Sequence, residues 1–330
     1  MARTALSDRI YKYVTALLSC SAIIFIFLIL VVLLEKSYPS FVVNGVEFFT
    51  KAIWKPALNS NIVIKNGFKT MGGAEYGLLT YLEGTLITSA LAILFGVPAG
   101  VAVAIFLSQF SPRRISPAIS FLVELLAGIP SVIFGFWGIL VLGPLLLYTI
   151  EPFLAEHLGF IPFFCCTGHV YSYGFLASGL ILALMIVPII ASISRDAMRQ
   201  TPVDLKEGGK ALGLTDWEVT RKIVLPYAKT GILGGVILGL GRALGETMAV
   251  ALVSGAATTP PHTLYSPINT LAAFMALSLD GAFTDPSGMF VDALFELAVV
   301  LLIITVLVNI LARALVRQGF INSVEGAVRV

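Results

Sequence analysis

The chain has 330 residues, 58% hydrophobic and only 12% charged, with a net charge of +2 and a mean hydropathy of +0.95. A soluble globular domain is about 25% charged, so this composition excludes a water-soluble protein and offers no basic surface for nucleic acid. It is the composition of an integral membrane protein, and three cysteines are too few for a disulfide framework.

A bilayer span needs about 20 mostly apolar residues. The first such stretch is 14–34, after a basic start at Arg3, Arg9 and Lys12. The start is that of a signal peptide, but the apolar run is about twice the length of one and no small-residue cleavage site follows, so an uncleaved anchor is expected after a tail at 1–13. Residues 35–77 read as a loop of mixed polar and aromatic character, closing in "MGGAEYG".

Five further spans are expected at 78–107, 117–148, 174–194, 229–254 and 290–312, which makes residues 78–312 a membrane core and 313–330 a second tail. Pro98, Pro130 and Pro188 fall inside three of them, and each removes a backbone hydrogen bond. Such breaks serve packing or line a pathway. "CCTGH", with Cys165 and Cys166, reads as a packed apolar loop rather than a metal site, because no second ligand pair accompanies it.

Lys and Arg cluster in alternate loops, with seven between 195 and 229 and none at 149–173 or 255–289. That bias predicts both termini in the cytoplasm. The loop 35–77 dissents with Lys36, Lys51, Lys55, Lys65 and Lys69, but its length makes it a weak topological signal.

The stretch 199–231 encodes two short helices pointing into the cytoplasm. Thr201 is a candidate cap with Pro202 at the first helical position, Gly213 a left-handed stop, and Thr215 with Glu218 a capping box for a second helix that Pro226 is expected to close. A compact elbow of this kind, at 201–226, suits docking. No G-x-x-x-x-G-K-[ST] loop exists in the chain, so it cannot cradle nucleotide phosphates and is read as a non-enzyme without a cofactor.

The fifth span carries Arg242 and Glu246 among glycines 231, 234, 235, 239, 241 and 245. Four-residue glycine spacing lets helices approach closely, so this span is expected to be wrapped by others. Arg242 lies roughly 20 Å from residue 229 along a helix, and Glu246, one turn on, is within pairing reach. Glu83, Asp292 and Glu296 are expected to enter the membrane at the same level, and Glu124 from the other side. Two readings of the charged pair stand: an ion pair that fixes helix register, or a guanidinium offered to an oxyanion along a substrate pathway.

Glu207-Gly208-Gly209, Gly213, then Ile223, Leu225 and Pro226 match the spacing of the cytoplasmic signature of ABC-importer permeases, with Gly208-Gly209 where that family has two alanines. "ELLAGIPSVIFGFWG" and "LGLGRALGETMAV" closely resemble the PstC-type permease family of bacterial phosphate-specific ABC importers. The resemblance runs from about residue 76 to 312 and implies an all-α type I (MetI-like) bundle of six transmembrane helices in the bacterial inner membrane. It implies phosphate as substrate, and Arg242 and Glu246 as positions associated with its translocation. The implied partners are a second homologous permease (PstA-type), a dimer of an ATP-binding subunit (PstB-type) docked on the elbow, and a periplasmic phosphate-binding protein (PstS-type). A permease for sulfate or molybdate, and a channel or carrier with no ATPase, are the alternatives.

Overall fold

The computed structural model describes residues 2–112, 114–164, 173–261 and 263–328. Arg113, Cys165, Cys166, His169, His262 and Arg329 fall outside the described residues, as do the side chains of Arg3, Arg9 and Arg317.

Ten helices organise the described chain: α1 (Ala2–Asn44), α2 (Leu79–Phe110), α3 (Ser116–Ala127), α4 (Ser131–Leu158), α5 (Phe175–Arg199), α6 (Val203–Ala211), α7 (Asp216–Gly245), α8 (Met248–Val253), α9 (Leu271–Ala282) and α10 (Met289–Val328). Six of them, α1, α2, α4, α5, α7 and α10, are long and apolar enough to cross a membrane. Between α1 and α2 lie a single turn at Glu47–Thr50 and an antiparallel hairpin, β1 (Ile62–Lys65) with β2 (Phe68–Met71).

The centre of the bundle is α5, where 67% of the most apolar window is buried, against 22% for α7. This corrects the expectation that the glycine-rich fifth span would be the wrapped one. Small residues explain why α5 can be surrounded. A Cβ on Gly96 would sit 2.7 Å from the side chain of Ile186, one on Gly100 2.8 Å from Ile190 Cβ, and one on Gly179 2.6 Å from Leu91 Cβ. Thus α2 and α5 approach to a distance that only glycine permits, and their contact is the most extensive in the chain. One glycine face of α7 packs on α5 beside α2, with Gly231 against Ala197, Gly235 against Ile193 and Gly239 against Ile190 and Ile186. Helix α1 stands at the periphery, packed on α10.

Prolines shape the helices differently from expectation. Pro98 and Pro188 lie within unbroken helices. Pro130 instead stands between α3 and α4, so the expected span 117–148 is two helices, and the 12 residues of α3 are too short to cross alone. Four wide π turns, Phe106–Phe110, Gly138–Leu142, Leu146–Ile150 and Thr220–Val224, each end two residues before a proline. A proline has no N–H and its ring collides with the carbonyl four residues earlier; widening the preceding turn relieves both problems. For this reason Pro226 does not end the second elbow helix, as expected, but lets it run on into the membrane as α7.

The segment 255–289, expected as a loop, contains α9. Its whole first turn, Leu271, Ala272, Ala273 and Phe274, is buried, its cap is Thr270, and Leu271 N–H donates to Thr85 Oγ1 of α2 at 2.9 Å.

Candidate functional site

The elbow forms much as its sequence dictates. Gly213 has φ +83°, and the N–H groups of Gly213 and Leu214 return to the carbonyls of Lys210 and Gly209 at 2.9 and 3.2 Å, the double closure of a helix end that needs a left-handed residue. Thr215 and Glu218 make the reciprocal capping box. Thr201 does not cap: α6 begins at Val203 behind Pro202, and the Thr201 hydroxyl is buried without a partner among the described residues.

Gly208 and Gly209, equivalent on paper, differ in space. Gly208 faces open space, whereas a Cβ on Gly209 would sit 2.5 Å from Ile223 Cδ1, so α6 rests directly on the root of α7. Lys210 adds an ion pair to Asp216 at 2.7 Å, and Trp217 meets Phe110 at the end of α2 with ring centroids 6.5 Å apart. The outer surface leaves Glu207 exposed, with Val203, Leu205, Trp217 and Leu212, the last 85% exposed. Leu225 is half-buried and Pro226 exposed at the start of the membrane-crossing part of α7.

Behind the elbow stands a residue that sequence reading counted only as a loop charge. Arg195, 8% exposed, is inside α5 and reaches Glu124 of α3 at 3.1 Å and Asp196 at 2.9 Å. Next to it, Arg199 donates to Ser116 Oγ at 3.0 Å, which donates to the Leu107 carbonyl at 3.0 Å. These bonds tie α2, α3 and α5 together beside the elbow. The signal was Arg195 four residues before Arg199, placing both on one helical face.

The charged group in the membrane is rearranged. Helix α7 ends at Gly245, so Glu246 is not one turn above Arg242 on a continuing helix. It turns inward, buried, and accepts from Ala249 N–H at 3.3 Å in the first turn of α8, whose N-cap position is Thr247. No ion pair joins it to Arg242 among the described residues; the expected pair is absent because the helix breaks between its members. Arg242 is exposed, without a hydrogen-bond or ion-pair partner among the described residues. It shares an open face of α7 with Gly234, Gly241 and Gly245, none of which has a neighbour within 4 Å of its would-be Cβ.

The other carboxylates do not join it. Glu83 is half-buried in the second turn of α2, with no bonded partner among the described residues. Glu296, 3% exposed, accepts from Ser40 Oγ of α1 at 2.6 Å, and Ser40 accepts from Asn44 at 3.0 Å. The charges acting on Asp292 are Lys36 of α1 and Asp285. So Glu296 serves the seam between α1 and α10, and neither it nor Asp292 is bonded to Arg242 among the described residues.

One continuous helix thus joins the exposed elbow to an open face that carries Arg242 and three glycines. Residues 96–318 match the family of binding-protein-dependent transport system inner membrane components. The chain belongs to this family.

Curated members of the permease family are similar over most of their length. The phosphate transport system permease protein PstC 1 of Mycobacterium tuberculosis is 42% identical over 286 residues, covering 83% of this chain and 82% of that one. PstC of Mesorhizobium japonicum is 38% identical over 314 residues, covering 94% and 90%. Among solved structures, an inward-facing MetNI methionine ABC transporter aligns with a TM-score of 0.50 at 20% identity, over 73% of this chain and 96% of that one. A bacterial ABC transporter for the import of alginate aligns with a TM-score of 0.50 at 17% identity, over 73% and 79%. These likenesses carry the fold of an ABC-importer permease. The family and the six apolar helices make the chain a multi-pass inner-membrane permease subunit.

Proposed function

We propose that the chain forms half of the membrane pathway of an ATP-driven phosphate importer, working by alternating access with a second, homologous permease. The reading rests on the PstC relatives, and the observation that carries it into chemistry is Arg242, an unpaired guanidinium on the open face of α7. An intramembrane Arg costs roughly 2.5–3.5 kcal/mol on the insertion scale, and an unneutralised one is justified by a transient anionic guest. Two donors in one plane suit two phosphate oxygens.

The ATP-binding subunits dock on the elbow, whose exposed Leu212, Trp217 and Val203 supply apolar contact beside Glu207. Both termini are cytoplasmic, and a periplasmic phosphate-binding protein delivers the ion to the opposite mouth. Because α7 is continuous through Pro226, displacement of the elbow is carried along one rigid element toward Arg242. Contact there is weak, since the ion must leave again.

The test is labelled phosphate uptake in cells whose only copy carries Arg242→Ala, with co-purification of the ATPase as the assembly check. Uptake is expected to be lost with assembly intact. Normal uptake would make Arg242 structural, and competition by sulfate or molybdate would reassign the oxyanion. Failure of any ATPase to co-purify with the wild-type chain would return the reading to a channel or carrier.

A further inference from the structure

The hairpin β1–β2 has no role in the proposed pathway, and its chemistry is unlike that of a solvated loop. Its turn is Asn66-Gly67, both with positive φ, the sequence and geometry of a tight two-residue hairpin. Every residue of β1 is exposed, including Ile62, Val63 and Ile64, the last 75% exposed. Lys65 and Lys69 make no ion pair among the described residues, whereas Lys51 holds both Glu47 and Glu75 at 2.9 and 3.2 Å. The hairpin therefore presents bare aliphatic surface edged by two lysines outside any ion pair, with Glu47 the carboxylate within electrostatic reach of Lys65.

Its height relative to the membrane follows from α1. Exposed apolar side chains line α1 from Val14 to Leu34. Glu35 and Lys36 are the first charges after them, with Tyr38 and Phe41 exposed just beyond, the pattern of a span end at the interface. Tyr38, a few ångströms beyond, takes the ring of Phe68 edge-on at 6.2 Å. Asn66 Nδ2 donates to the Val42 carbonyl at 2.8 Å, within the last turns of α1. The hairpin is thus folded down the outside of a peripheral helix, at the level where lipid headgroups begin. It is continuous with the lipid-facing surface of α1.

We infer that β1–β2 is a bilayer-surface anchor, with Ile62 and Ile64 in the interfacial layer and Lys65 and Lys69 on anionic phospholipid headgroups. Aliphatic side chains with a basic edge are the composition that binds such an interface, and each lysine near an anionic surface contributes roughly five-fold to partitioning. The occupant is lipid rather than a protein because the hairpin is held at headgroup height by two contacts to α1, while its sequence supplies both the apolar and the phosphate-binding half of an interfacial motif. The inference does not depend on the transported ion.

The experiment uses the full chain, with Cys20, Cys165 and Cys166 replaced by alanine, reconstituted in phosphatidylcholine vesicles with and without phosphatidylglycerol. A nitroxide is attached after Ile64→Cys, or after Asn59→Cys as an exposed site of the same loop. Ile64 is so exposed that the substitution leaves the fold intact. The label at 64 is expected to collide with oxygen in preference to a water-soluble nickel chelate, more strongly with phosphatidylglycerol present, and the label at 59 to show the reverse. Lys65→Gln with Lys69→Gln should abolish the phosphatidylglycerol effect. Equal nickel access at 64 and 59 in both vesicles would overturn the inference, as would shielding at 64 that appears only when a soluble binding protein is added.

Discussion

Two adjacent glycines show how far a residue's role depends on what faces it. Gly208 meets nothing, so Gly208→Ala should simply recover helix propensity, about 1 kcal/mol, and slow amide exchange across α6. Gly209→Ala would push on Ile223 Cδ1, and although that methyl can yield, the gain should be cancelled and the α6–α7 seat displaced. Exchange protection of Val203–Ala211 in the two variants checks the contrast. Glu246 offers a second test at this scale: as the buried acceptor of the Ala249 N–H, its loss in Glu246→Ala should cost about 1 kcal/mol, read as a lower melting temperature in detergent, whereas Arg242→Ala should leave melting unchanged while uptake falls. Outside the membrane, Lys51 at Glu47 holds that carboxyl below its ordinary range. Its contribution to the loop is therefore present above the unfolded value near 4.5 and is lost as pH falls through the lower folded value.

Helices were legible where local chemistry decides them and not where distant packing does. The capping box at Thr215 and the stop at Gly213 are local hydrogen-bond arrangements, so their residues announce them. Pro226 looked like a stop because a proline's cost is local, but its remedy is a widened turn that the sequence does not write down. Glycine spacing in α7 was likewise readable as close approach, yet not which helix is approached: Gly96 and Gly100 on α2 give α5 its central place. That contact predicts a coupled pair. Gly100→Ala places a Cβ 2.8 Å from Ile190 Cβ, an overpacking that costs about 1–3 kcal/mol, and Ile190→Ala should relieve part of it. A double-mutant cycle on detergent stability is expected to show a favourable interaction energy, because the two positions touch; strict additivity would mean that α2 and α5 separate rather than clash.

At the scale of the whole molecule, the six apolar helices were legible from composition, but the carboxylates' partners were not, because Ser40 and Glu296 are 256 residues apart. Nor was the incompleteness of the bundle. A lone membrane protein covers its intramembrane charge with its own helices; here Arg242, Gly234, Gly241 and Gly245 share a face that no described residue covers. Small residues on a membrane helix are interface residues, and the inner glycine face is already spent on α5. The outer one therefore has room for another chain at close range. If the second permease passes there, Gly241→Cys should form a disulfide with a cysteine scanned along that permease's facing helix, on oxidation of the assembled complex. Cross-linking should change with nucleotide if, as proposed, closure of the ATPases moves the elbow and α7 with it. A cysteine at Gly96, buried under Ile186, should never cross-link to the second permease. If position 241 gave no cross-link at any scanned site while the complex remained assembled, the open face would belong to lipid, and Arg242 would lose its place on a shared pathway.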